Sequence, residues 1–284
     1  MKTMRPTDSA CATRAQAGLN TTWQPLASSH VSLHHVSYVH VPKSGSGFAN
    51  IIFRAACRAK TTLPFLEPHE VHCIVRRHCP DAFVSFDWGH APLQQPLLPT
   101  TMAVTLMRAP WRRVLSGFFA NLHDCPWLQT LANVTEHRPT PATAPFYTKI
   151  APAHVKAYAT CVGGCATRML TGHLCGGGQR AVASEAALAP QALVTLRRFA
   201  FVGVTDEWTR SLTAFSRAFN VDVVASDAAV RRPGARPASD AAARVEAIVK
   251  AAKLTDAPLY AEALSILSEI ERGTWAPAQR GAAR

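Results

Sequence analysis

Between His40 and Arg54 the chain reads HVPKSGSGFANIIFR, a lysine and a run of Ser and Gly between an alternating apolar stretch and a helical one. Lysine supplies a positive charge on a flexible stem. A Gly/Ser turn turns successive backbone N–H groups outward, and a helix start adds the positive end of its dipole. Together these are the parts of a site for a phosphate or sulfate. A second candidate is Arg108 in VTLMRAPWRRVLSGFF, which ends an apolar run just before the helix opened by Pro110. An arginine at a strand end can hold an anion through its bidentate fork. The third is His90 in DWGHAPL, a residue type that exchanges protons near neutral pH. The Walker spacing of kinases and ATPases is not met, because Pro42 precedes Lys43 and the glycines follow it.

These residues need a scaffold, and the apolar periodicity supplies one. Val36–Val41, Ala82–Phe86, Thr101–Met107 and Phe199–Val204 read as short strands. Helical spacing follows three of them: Phe48, Ile51, Ile52, Ala55 and Ala56; then Trp111, Val114, Leu115, Phe118 and Phe119; then Trp208, Leu212, Phe215 and Phe219. Thr205 is placed to cap the last of these helices, with Asp206 and Glu207 in its first turn. Two more helices are expected, one from Ser239 with Val245, Ile248 and Val249 inward, one from Asp256 with Leu259, Ala263, Leu267 and Ile270 inward. Strands alternating with helices predict an α/β fold with a central parallel sheet flanked by helices. In such sheets ligands bind beyond the carboxyl ends of the strands. Lys43, His90, Arg108 and Thr205 each follow a strand closely, so they are expected to converge.

The domain is expected over 36–272, with a disordered leader before it (1–35) and a disordered tail after it (273–284). Residues 121–160 hold five prolines and little periodicity, and read as an excursion with short helices. The Ala/Arg/Pro-rich stretch 224–239 reads as a mobile loop. A net charge of +12 favours anionic partners. The excess is dispersed in pairs such as Arg76-Arg77, Arg112-Arg113, Arg197-Arg198 and Arg231-Arg232, which fits a folded basic surface rather than a nucleic-acid-binding arm. Arg112 and Arg113 are expected to divide between a ligand rim and solvent.

The charge-poor runs Ala15–Pro42 and Trp88–Met107 are too polar, or too rich in proline, to cross a membrane as helices. The N-terminal stretch has no apolar core of a signal. Eight cysteines permit disulfides without fixing their pairing. Two local groups stand out, HCIVRRHC (72–79) and CVGGC (161–165). In the first, His and Cys are adjacent in each pair, which is not zinc-finger spacing.

The order His-x-Pro-Lys-Ser-Gly-Ser resembles the 5′-phosphosulfate loop of glycan sulfotransferases that use 3′-phosphoadenosine 5′-phosphosulfate (PAPS). The segment around Arg108 and Ser116 is similar to the same family's 3′-phosphate motif, and WGHAPL to the Gly-His segment that supplies a catalytic histidine in heparan sulfate 2-O-sulfotransferases. Weaker similarities follow in order: CATRMLTG (165–172), FAFVGVTDEW (199–208) and LYAEAL (259–264). The resemblance is to Golgi-type carbohydrate sulfotransferases, including the heparan sulfate 2-O- and 6-O- and the galactose enzymes. It implies a P-loop-like sulfotransferase fold and transfer of a sulfuryl group from PAPS to a glycan hydroxyl. It further implies that Lys43, Ser44, Gly45, Ser46, Gly47 and Phe48 form the 5′ side of the nucleotide site, that Arg108 and Ser116 hold the 3′-phosphate, and that His90 and Lys43 are catalytic. No metal is required by this chemistry and no nucleic acid is expected as partner. Where the family has Thr or Ser, this chain has Gly47 and Phe48, so Ser44 and Ser46 carry more of the contact.

The family setting implies the Golgi lumen and its membrane. With neither signal nor anchor recognised, a soluble intracellular address is the other reading. A nucleotide-dependent kinase and a non-catalytic binder of sulfated glycan or nucleic acid are the competing functions. Asp87 and Glu70 stand as alternative bases to His90.

Overall fold

A computed structural model of the chain describes residues 35–57, 83–86, 90, 92–93, 102–132, 151–176, 185–221 and 239–277. The leader up to residue 34, the cysteine group 72–79, Glu70, Asp87 and most of the 224–239 stretch lie outside them.

Among the described residues, β1 (His35–Val39), β2 (Phe83–Phe86), β3 (Met102–Met107) and β4 (Phe201–Val204) form one sheet in the order β2-β1-β3-β4. Every pairing is parallel, with Tyr38 opposite Phe86, Val39 opposite Thr105 and Met107 opposite Val204. The fold is therefore α/β with a parallel sheet flanked by helices, as the periodicity predicts. Because the strands are parallel, the segments after all four leave from one edge of the sheet. β1 stops at Val39, short of the expected Val41, because the chain turns at Val41, whose carbonyl accepts from Ser44 N at 3.1 Å.

The helices α1 (Phe48–Cys57), α2 (Pro110–Phe118), α3 (Pro126–Leu131), α4 (Pro152–Val162), α5 (Cys165–Leu170), α6 (Glu185–Leu196), α7 (Trp208–Phe219), α8 (Asp240–Ala251) and α9 (Ala257–Glu271) follow the chain. Proline opens α2, α3, α4 and α9 within the first turn, where no intrahelical N–H is lost. Helices α7 and α9 pack on β4, and α8 packs on α2 and α4. One apolar cluster runs from Tyr38 to Ile270, with Phe48, Phe118, Phe201 and Phe215 at its centre. Residues Gly273–Pro277 continue the fold rather than a disordered tail: Trp275 N donates to the Glu269 carbonyl at 3.2 Å and its ring packs against the core.

Three local expectations give way to tertiary contacts. Thr205 does not cap α7; it opens a 3₁₀ turn (Thr205–Glu207), and its hydroxyl donates to the Ser44 carbonyl at 2.5 Å. Asp256 precedes α9 without capping it. Its carboxylate instead accepts from Ala166 N, Thr167 N and the Thr167 hydroxyl at 2.8–2.9 Å, which caps α5 from outside, and from Arg113 at 2.9 Å. Arg113 is accordingly neither rim nor solvated: it is buried and also donates to the Val162 carbonyl at 2.5 Å. Arg112, 44% exposed, pairs with Asp206 at 3.1 Å. The two cysteines of CVGGC bond elsewhere, as Cys125–Cys161 and Cys165–Cys175. A second buried pair, Arg168–Glu185, is completed by Thr255 donating to Glu185 at 2.6 Å and Arg168 donating to the Cys161 carbonyl at 2.5 Å.

Removing Asp256 would leave the Arg113 charge buried and α5 uncapped. Asp256→Ala is expected to cost about 3–5 kcal/mol in urea unfolding with disulfides intact. Arg197→Ala, which breaks the half-exposed pair with Glu262, is expected to cost about 0–1 kcal/mol. Equal losses would remove Asp256 from its structural role.

Candidate functional site

The β1–α1 loop is the tightest local structure at the carboxyl edge of the sheet. Lys43 takes a left-handed backbone with φ 62° and Gly45 one with φ 111°. A side chain at Gly45 would meet Leu106 Cδ1 at 3.0 Å and Thr205 Oγ1 at 3.3 Å, so only glycine fits. Neighbouring strands pin the loop by its carbonyls. Arg108 Nη1 donates to Lys43 O at 3.0 Å, Thr205 to Ser44 O and the Tyr38 hydroxyl to Gly45 O at 3.1 Å. With the carbonyls held from behind, the first turn of α1 closes through Phe48, Ala49 and Asn50 N–H groups at 3.1–3.2 Å. The N–H groups of Ser46 and Gly47 are left at the head of the helix, as the first donors of a helix are. Ser44 is fully buried, and its Oγ has no hydrogen-bond partner among the described residues. A buried hydroxyl without a protein partner beside a helix start and a lysine fits an anion-binding site.

The Phe48 side chain faces the core. It is wholly buried among Tyr38, Phe201, Trp208 and Phe215, and the Phe48 N–H goes to Gly45 O. Ser116 is half-buried on α2, one residue before Gly117. A side chain at Gly117 would collide with the Tyr158 hydroxyl and would come within 3.6 Å of Lys43 Cγ. The Lys43 stem and the Tyr158 hydroxyl therefore both lie beside α2 at Gly117.

His90 lies at the same edge. Its ring is 5.0 Å from that of His40, the residue that follows β1, and 5.0 Å from that of His123. Its Nδ1 is 3.0 Å from Asp124 Oδ1, and His123 Nε2 is 3.4 Å from Asp124 Oδ2. Burial, then the charges of His90, His123 and Lys43, push the pKa of His40 down to about 3. Burial, His90 and Lys43 likewise push His123 down to about 4. Burial alone would raise the Asp124 carboxyl, but its hydrogen bond to His90 and the charges of His90, His123 and Arg113 outweigh that and hold it below the usual range. Lys43 is thus close enough to act on this cluster. His40 Nε2 and Asp124 Oδ2 are shut off from solvent without a hydrogen-bond partner among the described residues.

Lys43, His90, Asn121, Leu122 and Asp124 all have positive φ, and the only other non-glycine residue with it among those described is Asn220. Left-handed backbone at non-glycine residues is uncommon and collects at functional sites. His90, His123 and Asp124 each bring one possible ligand atom within 4.8 Å of the others, a donor set suited to a zinc-class ion; the Lys43 charge opposes a dication there.

The structure thus gathers Lys43, Ser44, Gly45, Arg108, Thr205 and His90 at one edge. It adds His123 and Asp124, which the sequence reading does not single out, and His40, which the sequence reading names only as the first residue of the loop motif. In the sequence the adjacent pair His123-Asp124 is visible only as polar residues in an aperiodic stretch, with Asp124 34 residues beyond the His90 it meets. No protein-family model matches the chain, and no curated protein matches it.

The two depressed histidines give a pH signature. Unfolded histidine protonates near pH 6.5, whereas folded His123 resists protonation down to about 4 and His40 down to about 3. Between these values the unfolded chain binds more protons, so stability falls as pH drops from about 6.5 toward 4. Thermal unfolding between pH 7 and 4.5 is expected to show that fall, with a shallower slope in His123→Gln and in His40→Gln. An unchanged slope in both variants would contradict the burial of neutral histidines.

Proposed function

We propose that this chain is a PAPS-dependent carbohydrate sulfotransferase, with the P-loop-like fold of that family, that transfers a sulfuryl group to a hydroxyl of a glycan. The observation that carries the reading is the meeting, at one sheet edge, of the Lys43–Gly47 loop with its orphaned Ser44 hydroxyl, Arg108 against that loop, and a histidine hydrogen-bonded to a carboxylate. The donor, when bound, supplies a sulfuryl group already activated by its phosphate leaving group. In this reading Ser44 and the N–H groups of Ser46 and Gly47 hold the 5′-phosphate. Arg108, which donates to the Lys43 carbonyl, with Ser116 holds the 3′-phosphate. His90 takes the proton from the acceptor hydroxyl as its oxygen bonds to sulfur. Lys43 offsets the charge that grows on the bridging oxygen as the sulfur–oxygen bond to phosphate breaks. A chain of charge +12 suits an anionic acceptor. The helices give no help with the address: among the described residues none is long and apolar enough to cross a membrane.

Calorimetry should show adenosine 3′,5′-bisphosphate binding more tightly than AMP or ATP. Arg108→Ala should weaken it by roughly 2–3 kcal/mol, through the lost charge-assisted contact and a slackened loop. Equal affinity for AMP and the bisphosphate would remove the 3′-phosphate assignment, and preference for ATP with phosphate transfer would favour a kinase.

Turnover separates the two catalytic roles. Lys43→Ala should lower the turnover rate more than it weakens product binding, because its contact strengthens as leaving-group charge develops. His90→Ala should lose about 10²–10⁴-fold in rate with nucleotide affinity nearly intact. A variant of either kind with a raised Michaelis constant and unchanged turnover would sink the corresponding role.

A further inference from the structure

We infer that Asp124 is the positioning residue of His90, fixing its tautomer so that Nε2 is the nitrogen left to take a proton. The inference rests on the sulfotransferase reading for the proton it moves, and on geometry alone for the pairing.

A carboxylate oxygen accepts only. With Asp124 Oδ1 3.0 Å from His90 Nδ1, the hydrogen of that bond belongs to the imidazole, so neutral His90 carries its proton on Nδ1 and its lone pair on Nε2. When His90 accepts the acceptor's proton at Nε2, the imidazolium that forms is next to a carboxylate. Asp124 stabilises that charge without taking the proton. His123 and His40, the other ring neighbours of His90, stay neutral and so do not compete for the carboxylate as cations.

The surroundings of Asp124 are built to hold it. Cys125, the next residue, is disulfide-bonded to Cys161 of α4. The Tyr158 hydroxyl, from the same helix, donates to the His123 carbonyl at 2.8 Å. The Cys165–Cys175 bond sets the neighbouring Gly176 against the Asp124 carbonyl, where a side chain would have no room. On the other side, Leu93 N donates to the Met169 carbonyl of α5 at 2.9 Å, which ties the segment after His90 to the same layer. Both members of the pair are thus fastened to α4–α5, although one comes from the β2–β3 connection and the other from beyond α2. A carboxylate needed only for solubility or capping would not require the left-handed backbone found at both Asp124 and His90.

The test uses the full chain with disulfides intact. Nitrogen-15 NMR of labelled histidines, with His90 assigned by its loss in His90→Ala, reads the tautomer directly. The Nδ1–H form is expected in the wild type and the Nε2–H form in Asp124→Asn, whose amide can donate to Nδ1. With PAPS and a glycan acceptor, Asp124→Asn should lose about 10²–10⁴-fold in turnover, with affinity for adenosine 3′,5′-bisphosphate within about twofold of wild type. The double variant His90→Ala/Asp124→Asn should be no slower than His90→Ala, since residues that act as one unit are not additive. An Nε2–H tautomer in the wild type, or an Asp124→Asn loss of equal size with and without His90, would overturn the inference. If the bisphosphate does not bind at all, the sulfotransferase reading fails, while the wild-type tautomer still decides the pairing.

Discussion

The carboxylate of Asp256 is the contact on which the helical layer depends. A six-residue helix such as α5 cannot be stable alone. Its first N–H groups face Asp256 from another part of the chain, and the same carboxylate takes the Arg113 guanidinium of α2. One buried anion therefore fixes the junction of α2, α5 and the start of α9. A buried ion pair contributes little net stability once desolvation is counted, but it tolerates few alternative arrangements. Its consequence here is geometric. Arg113 sits five residues after Arg108, and α5 carries Cys165 and Met169, which anchor the segments bearing Asp124 and His90. Whatever the edge of the sheet binds, it binds against a layer whose register is set by this contact.

The edge itself brings unlike electrostatic conditions together over a few ångströms. At the loop, a lysine and a helix start concentrate positive potential, and the strand-end donors hold the loop's carbonyls, so that the amide groups lead. Alongside it, the histidines and Asp124 form a cluster in which burial keeps two rings neutral and one carboxylate stays charged. In the proposed reading the loop holds the donor's phosphate and the cluster takes the acceptor's proton beside a charge that balances it. Both lie under the influence of Lys43, so an anion bound at the loop would offset the positive charge that disfavours protonation of the neighbouring rings.

The strands, the helices that follow β1, β3 and β4, the two C-terminal helices and the convergence of Lys43, His90, Arg108 and Thr205 are legible in the sequence because each depends on local periodicity plus one rule about parallel sheets, whereas α5 and α6 carry no such signal and are not anticipated. What is not legible is non-local. Thr205 and Asp256 both carry the local signature of a helix cap, yet each finds a stronger tertiary partner, the Ser44 carbonyl and the α5 N-terminus. Arg113 looks like half of an exposed basic pair, but the pitch of α2 turns it inward while Arg112 stays outside. Phe48 is placed at the nucleotide by the family resemblance alone; as the first residue of α1 it turns its side chain to the core. The cysteine pairing cannot be deduced from spacing, since CVGGC places two cysteines within one turn region and bonds neither to the other.

His123 and Asp124 show why an aperiodic segment can be the most informative one. The stretch after α2 has no hydrophobic repeat because its course is dictated by side-chain bonds rather than by burial of a stripe: Cys125 to Cys161, Tyr158 to the His123 carbonyl, Gln129 to the Asn121 carbonyl at 3.0 Å. Asn121, Leu122 and Asp124 adopt left-handed backbone, a local cost of order 1–3 kcal/mol each that only a surrounding framework can offset. That framework is the disulfide-bonded α4–α5 layer, itself set by Asp256. The order of dependence therefore runs from the buried Asp256 carboxylate, through two covalent links, to a partly exposed carboxylate beside His90.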